Sequence, residues 1–96
     1  MRYIARITIH NGTFQDYEAL HKQMLRVGFK RYITSGTGQH YALPDATYEA
    51  ESTADLNAVH VAARNAAIAA VPGRQEPQVL VVKYEVAQWS GLPFAK

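Results

Sequence analysis

The spacing of apolar residues switches back and forth between two and about 3.6 along this chain, and that succession leaves few folds open. Over residues 1–10, Tyr3, Ala5, Ile7 and Ile9 alternate with Arg2, Arg6, Thr8 and His10, with Ile4 as the apolar member of the second parity. Such alternation is a half-buried strand. Asn11-Gly12 ends it, and Thr13 followed by Asp16 has the spacing of a capping box, with Asp in the place usually held by Glu or Gln. A helix over 14–27 follows, with Tyr17, Leu20, Met24 and Val27 on one side and Gln15, Glu18, Lys22 and Arg26 on the other, until Gly28 supplies the left-handed stop.

The segment 29–35 is aromatic and β-branched, Gly36-Thr37-Gly38 is a turn, and 39–52 returns as a strand, so a hairpin is expected. Pro44 cannot donate to a strand ladder, and the returning strand must bend there, pairing with the second strand before Pro44 and with the first strand after it. Ser52 and Asp55 again have cap spacing and open an alanine-rich helix that Pro72-Gly73 closes. Residues 78–86 form a last strand, and 89–96 are a short tail.

The order β-α-β-β-α-β predicts an α+β, ferredoxin-like single domain over 1–96: a four-stranded antiparallel sheet with two helices on one face. The other face has no expected cover from this chain. Ile4, Val79 and Val81 have parities that can point there, and an uncovered apolar face on a small domain usually meets another copy. A homodimer is therefore expected, with Ile4, Val81 and the lone Trp89 of the tail at its interface.

At 48% hydrophobic and 19% charged residues the chain buries enough apolar surface to fold without a ligand. The absence of cysteine excludes disulfides, thiolate metal sites and a cysteine nucleophile. Arg2 and Arg6 interrupt the apolar start and no long apolar run follows, so a cytoplasmic protein without membrane association is expected. No HExxH, phosphate loop or GxSxG occurs, and the four histidines, His10, His21, His40 and His60, lie on different segments. Neither a metal nor a cofactor is implied. The loop after the first strand lacks the arginine of an acylphosphatase, and Ala46-Thr47-Tyr48-Glu49-Ala50-Glu51 lacks the aromatic pattern of an RNA-recognition motif.

Charge is divided by sign. Lys22, Arg26, Lys30 and Arg31 lie in an acid-free stretch between Leu20 and Pro44, whereas Asp45, Glu49, Glu51 and Asp55 follow without a base. Two readings compete. Lys30 and Arg31 can face Glu49 and Glu51 as cross-strand pairs, or Arg2, Arg6, Lys22, Arg26, Lys30 and Arg31 can form a patch for a phosphate backbone. His10, at the end of the first strand, is the candidate general acid or base. His21 and His60 read as partly buried side chains beside helix core positions.

The runs Asp16-Tyr17-Glu18-x-Leu20-His21-x-x-Met24, Gly28-Phe29-x-Arg31-x-Ile33, Tyr41-x-Leu43-Pro44-x-Ala46-x-Tyr48 and Trp89-Ser90-Gly91-Leu92 together resemble a family of short bacterial and prophage-borne proteins. That family is grouped with GhoS-like endoribonuclease antitoxins, whose ferredoxin-like dimer is similar to the small CRISPR-associated nuclease subunit. The resemblance implies the same fold and an RNA-binding antitoxin or endoribonuclease role. It departs from the nuclease subunit where that protein carries a metal-holding aspartate at the end of its first strand, since Ile7-Thr8-Ile9-His10-Asn11 has no carboxylate. Any cleavage is then expected to be metal-independent, with His10 as base and Arg6, Arg26 and Arg31 on the phosphate. The alternative is a phage-encoded inhibitor of a bacterial defence or toxin protein, acting by protein–protein binding without an active site.

Overall fold

A computed structural model describes residues 1–95, arranged as β1 (Arg2–Thr8), α1 (Phe14–Arg26), β2 (Tyr32–Thr34), β3 (His40–Ala42), β4 (Thr47–Glu51), α2 (Leu56–Ala70) and β5 (Gln78–Tyr84). Both helices start where short polar side chains satisfy free N–H groups. Thr13 Oγ1 accepts from the Asp16 N–H at 3.1 Å and Asp16 Oδ2 accepts from the Thr13 N–H at 2.9 Å, which is the reciprocal box that the sequence predicts. Arg74 adds an ion pair to the same carboxylate at 3.1 Å. At the second helix the roles differ from the expectation. Asp55 is the cap, accepting from the Ala58 N–H at 2.9 Å, and Ser52 shapes the approach by accepting from the Ala54 N–H. Val27 lies past the end of α1 as its C-cap and is exposed, so it does not extend the apolar stripe.

The strands form antiparallel sheets of three and two strands, β4-β1-β5 and β2-β3, rather than one continuous four-stranded sheet. The cause is the break at Pro44. Thr47 N–H closes a turn on the Pro44 carbonyl at 3.1 Å, and Ala46 inside that turn has φ 58. Before the turn, β3 pairs with β2 in the register Tyr32↔Ala42 and Thr34↔His40; after it, β4 pairs with β1 from Arg6↔Thr47 to Arg2↔Glu51. The change of partner at Pro44 is the one the sequence predicts. Among the described residues one bridge joins the two sheets: Lys30 and Glu49 exchange both backbone hydrogen bonds, at 2.9 and 2.8 Å.

Tyr3, Ala5, Ile7 and Ile9 make the floor of the core, with Tyr48 and Ala50 beside them. Leu20 and Met24 of α1 and Val59, Ala63, Ala66 and Ala67 of α2 close over that same side, so both helices cover one face. The alanines let α2 approach closely. Val79 and Val81 also pack against this cluster, which corrects the expectation that they face away from the helices. The β5 residues that share the outer face with Ile4 are Leu80 and Val82, because the antiparallel register sets Ile4 opposite Val82 and Arg6 opposite Leu80.

The chain's own tail covers part of that outer face, which was expected to be bare. Trp89 and Phe94 pack against Tyr41, with ring centroids 5.5 and 5.2 Å away. Backbone bonds from Ala42 N–H to Pro93 and from Ala95 N–H to His40 fix the tail along β3. Residues 87–90 and Leu92 then line a shallow apolar pocket with Ile4, Ile33 and Leu43. Of the three residues expected at a dimer interface, Val81 packs toward the helices, Trp89 is engaged within its own chain and Ile4 is half-buried. On the same face Glu49 is buried, its Oε2 accepting from the Tyr84 hydroxyl at 2.5 Å and its Oε1 3.4 Å from the Lys30 ammonium. No helix among the described residues is long and apolar enough to cross a membrane.

Candidate nucleic-acid interface

A cleft of about 410 Å3 opens where the end of β1, the outer side of α1 and the Pro44 turn meet. Its helical wall is Phe14, Tyr17, Glu18 and His21, spaced i, i+3, i+4 and i+7 and therefore on one face of α1. Arg6, Ile7 and Thr8 of β1, Arg31, and Asp45-Ala46 of the turn complete it. Gly12 sets the angle of the helical wall. A Cβ there would stand 2.6 Å from the Tyr17 ring and 3.0 Å from Ile9 Cβ, so only glycine lets the ring lie against the loop, where its hydroxyl accepts from the Ile9 N–H at 3.0 Å.

The turn on the opposite wall is strained. Ala46 occupies the left-handed region, which costs a residue with a Cβ roughly 1–2 kcal/mol. Its carbonyl accepts from the Ile7 N–H at 3.1 Å, which pins the turn to β1 beside the cleft. Arg31 is held by its backbone, its carbonyl accepting from the Leu43 N–H at 2.9 Å, so an exposed guanidinium stands on a fixed segment.

His21 sits among these groups with Nδ1 2.7 Å from the Tyr48 hydroxyl. Burial pushes the Tyr48 phenol well above its ordinary pKa, so the hydroxyl keeps its proton at any pH of interest. That buried O–H needs an acceptor, and Nδ1 is the one within reach. With Nδ1 accepting, the neutral ring is the tautomer whose proton sits on Nε2. Burial first, and the nearby Arg31 charge second, lower the His21 pKa, against weaker opposition from Glu18 and Asp45.

A second groove of about 280 Å3 shares Glu18, His21 and Arg31 with the cleft and continues past Lys22, Leu25, Phe29, Lys30 and Tyr32. Four of the predicted basic residues, Arg6, Lys22, Lys30 and Arg31, thus line one continuous surface. Lys30 is also committed to Glu49 and to the Tyr32 ring, whose centroid is 4.9 Å from its Nζ, so of the two predicted cross-strand pairs Lys30 with Glu49 forms. Arg31 instead faces the cleft. Arg26 lies exposed in the last turn of α1 outside both grooves. Arg2 is on the outer sheet face, bonded to the Glu85 carbonyl at 2.6 Å and stacked over Tyr84.

His10, the residue singled out for acid–base work, is exposed beyond the end of β1, outside the cleft, with its carbonyl 3.4 Å from Arg74 Nη2. The histidine that the structure brings beside the arginines is His21. The signal for it lay in a second stripe on α1, since Phe14, Tyr17, Glu18 and His21 share a face that an apolar-only reading of the helix does not pick out. Among the described residues no group of three or more His, Asp or Glu side chains is placed to hold a metal ion. Comparison with protein-family models, with curated proteins and with solved structures returns no significant match.

Proposed function

We propose that the protein is a GhoS-like, RNA-binding module of ferredoxin-like architecture that grips single-stranded RNA along the groove from Arg6 to Lys30. The observation that carries this reading is the placement of Arg6 and Arg31 on one cleft beside His21, with Lys22 and Lys30 continuing the line. Phosphate affinity comes from released counterions, which requires cations gathered along a path rather than scattered. The ferredoxin-like assignment is supported by the Lys30↔Glu49 bridge, which brings the start of the hairpin beside β4.

The state of His21 favours binding over cleavage. A general base must offer a lone pair to the ribose 2′-hydroxyl, yet Nδ1 is engaged by Tyr48, and the neutral tautomer that accepts from that hydroxyl has its proton on Nε2. Such a ring donates a hydrogen bond to the ligand. An antitoxin that sequesters a transcript fits this arrangement better than a metal-independent endoribonuclease, and His10 has no arginine of the cleft beside it.

Titration of fluorescently labelled single-stranded RNA, at two salt concentrations and with EDTA, tests the reading. The wild type is expected to bind without cutting, and Arg6→Ala/Arg31→Ala to weaken binding and flatten the salt slope by about two counterions. No binding at low salt would overturn it. A protein-binding inhibitor would then be the better reading, which the exposed Leu80 and Val82 on the outer sheet face favour.

A further inference from the structure

The cleft contains a contradiction for a pure phosphate binder. Glu18 and Asp45 line it together with Arg6 and Arg31, and a carboxylate repels a phosphodiester. A strand bound here would have to meet Glu18 with a group that donates hydrogen bonds. One helical turn before it, Phe14 also lines the cleft and is 79% exposed, the ring free to receive a flat partner. Residues at i and i+4 of a helix stand about 5–6 Å apart at Cβ, so a ring laid on Phe14 brings its edge to Glu18.

We propose, on the basis of the RNA-binding reading, that the cleft takes one guanine of the bound strand, stacked on Phe14 with its Watson–Crick edge on Glu18. An ionised carboxylate only accepts hydrogen bonds, through two oxygens side by side. Guanine is the base that offers two adjacent donors there, N1–H and the N2 amine. Adenine and cytosine present one amine beside a ring nitrogen whose lone pair faces the carboxylate, and uracil presents one N–H between two carbonyls. Arg6 and Arg31 hold the flanking phosphates on the opposite wall. The cleft volume is within the range of pockets that bury small ligands, and sequence-specific readers of single-stranded RNA combine aromatic stacking with edge recognition in this way.

The experiment uses the whole chain and four labelled five-residue RNAs, identical except for a central G, A, C or U in a uridine background, read by fluorescence anisotropy. The G oligomer is expected to bind at least about tenfold tighter than the others, as a site built on paired hydrogen bonds discriminates. Glu18→Gln should abolish the preference, bringing the G oligomer to the level of the A oligomer. Phe14→Ala should weaken all four by about tenfold, since stacking is indifferent to base identity. Both side chains are exposed, and far-ultraviolet circular dichroism confirms that the variants fold. Equal affinity for the four RNAs, or a G preference that survives Glu18→Gln, overturns the guanine site and leaves RNA binding standing. Failure of every oligomer to bind at low salt removes both.

Discussion

The Tyr48 hydroxyl and His21 Nδ1, 2.7 Å apart, tie the buried side of β4 to α1 and engage one nitrogen of the imidazole that lines the cleft. The pair makes stability depend on pH in a definite direction. The folded state lowers the His21 pKa, chiefly through burial, so the unfolded chain takes up a proton that the folded chain resists. The His21 contribution is fully present above the ordinary histidine pKa near 6.5 and is lost as pH falls through the lowered folded value. Urea denaturation between pH 8 and 5 is expected to show falling stability in the wild type and a flatter profile in His21→Gln. An unchanged slope in the variant would show that His21 is not the titrating group.

Ala46 offers a test of strain at the cleft. Replacing it with glycine removes the left-handed penalty but enlarges the freedom of the unfolded chain, so Ala46→Gly should stabilise by up to about 1 kcal/mol. Ala46→Val should destabilise by more than that, because a β-branched side chain tolerates positive φ least. Urea midpoints decide both. If Ala46→Gly is destabilising, the turn is not held in the left-handed region in solution.

The tail predicts a spectroscopic change. Trp89 is half-buried against Tyr41, and an aromatic pair of this kind adds about 0.5–1.5 kcal/mol beyond the area it covers. Tyr41→Ala should red-shift Trp89 emission and lower stability by about 1 kcal/mol, while leaving the β4-β1-β5 sheet intact. Emission unchanged from wild type would place Trp89 in water before the substitution.

Local chemistry made much of this fold legible in the sequence. The capping box at Thr13 and Asp16, the stop at Gly28 and the change of strand partner at Pro44 each depend on residues within a few positions of one another, and each is read from the chain alone. The division into three and two strands was not legible. It depends on how far the turn at Asp45-Ala46 swings β3 away from β4, and nothing in those two residue types announces a left-handed alanine. The facing of β5 was misread for a different reason: 79–82 is a continuous apolar run, Val-Leu-Val-Val, so both parities look equally like the core. At the cleft, the basic stretch was legible as charge. Its convergence on His21 rather than His10 required the long-range contact with Tyr48, which spacing does not contain.

The last prediction concerns the outer sheet face. The register of β1 and β5 sets Leu80 and Val82 beside Arg6 and Ile4, and these two side chains are 62% and 42% exposed on a strand that forms the edge of its sheet. Natural edge strands are usually guarded by proline, bulges or several charges, whereas β5 carries Lys83 as its one charge. The row is also nearly self-complementary about Val81, since an antiparallel copy related by a two-fold axis there places Leu80 opposite Val82 in both directions. A second copy of the chain is the partner expected on this strand. Light scattering should report a dimer at roughly tens of micromolar, the range in which a small, weak interface is populated, and Leu80→Glu/Val82→Lys should return the monomer. Far-ultraviolet circular dichroism checks that the variant keeps the fold. A wild-type monomer over that range sinks the dimer.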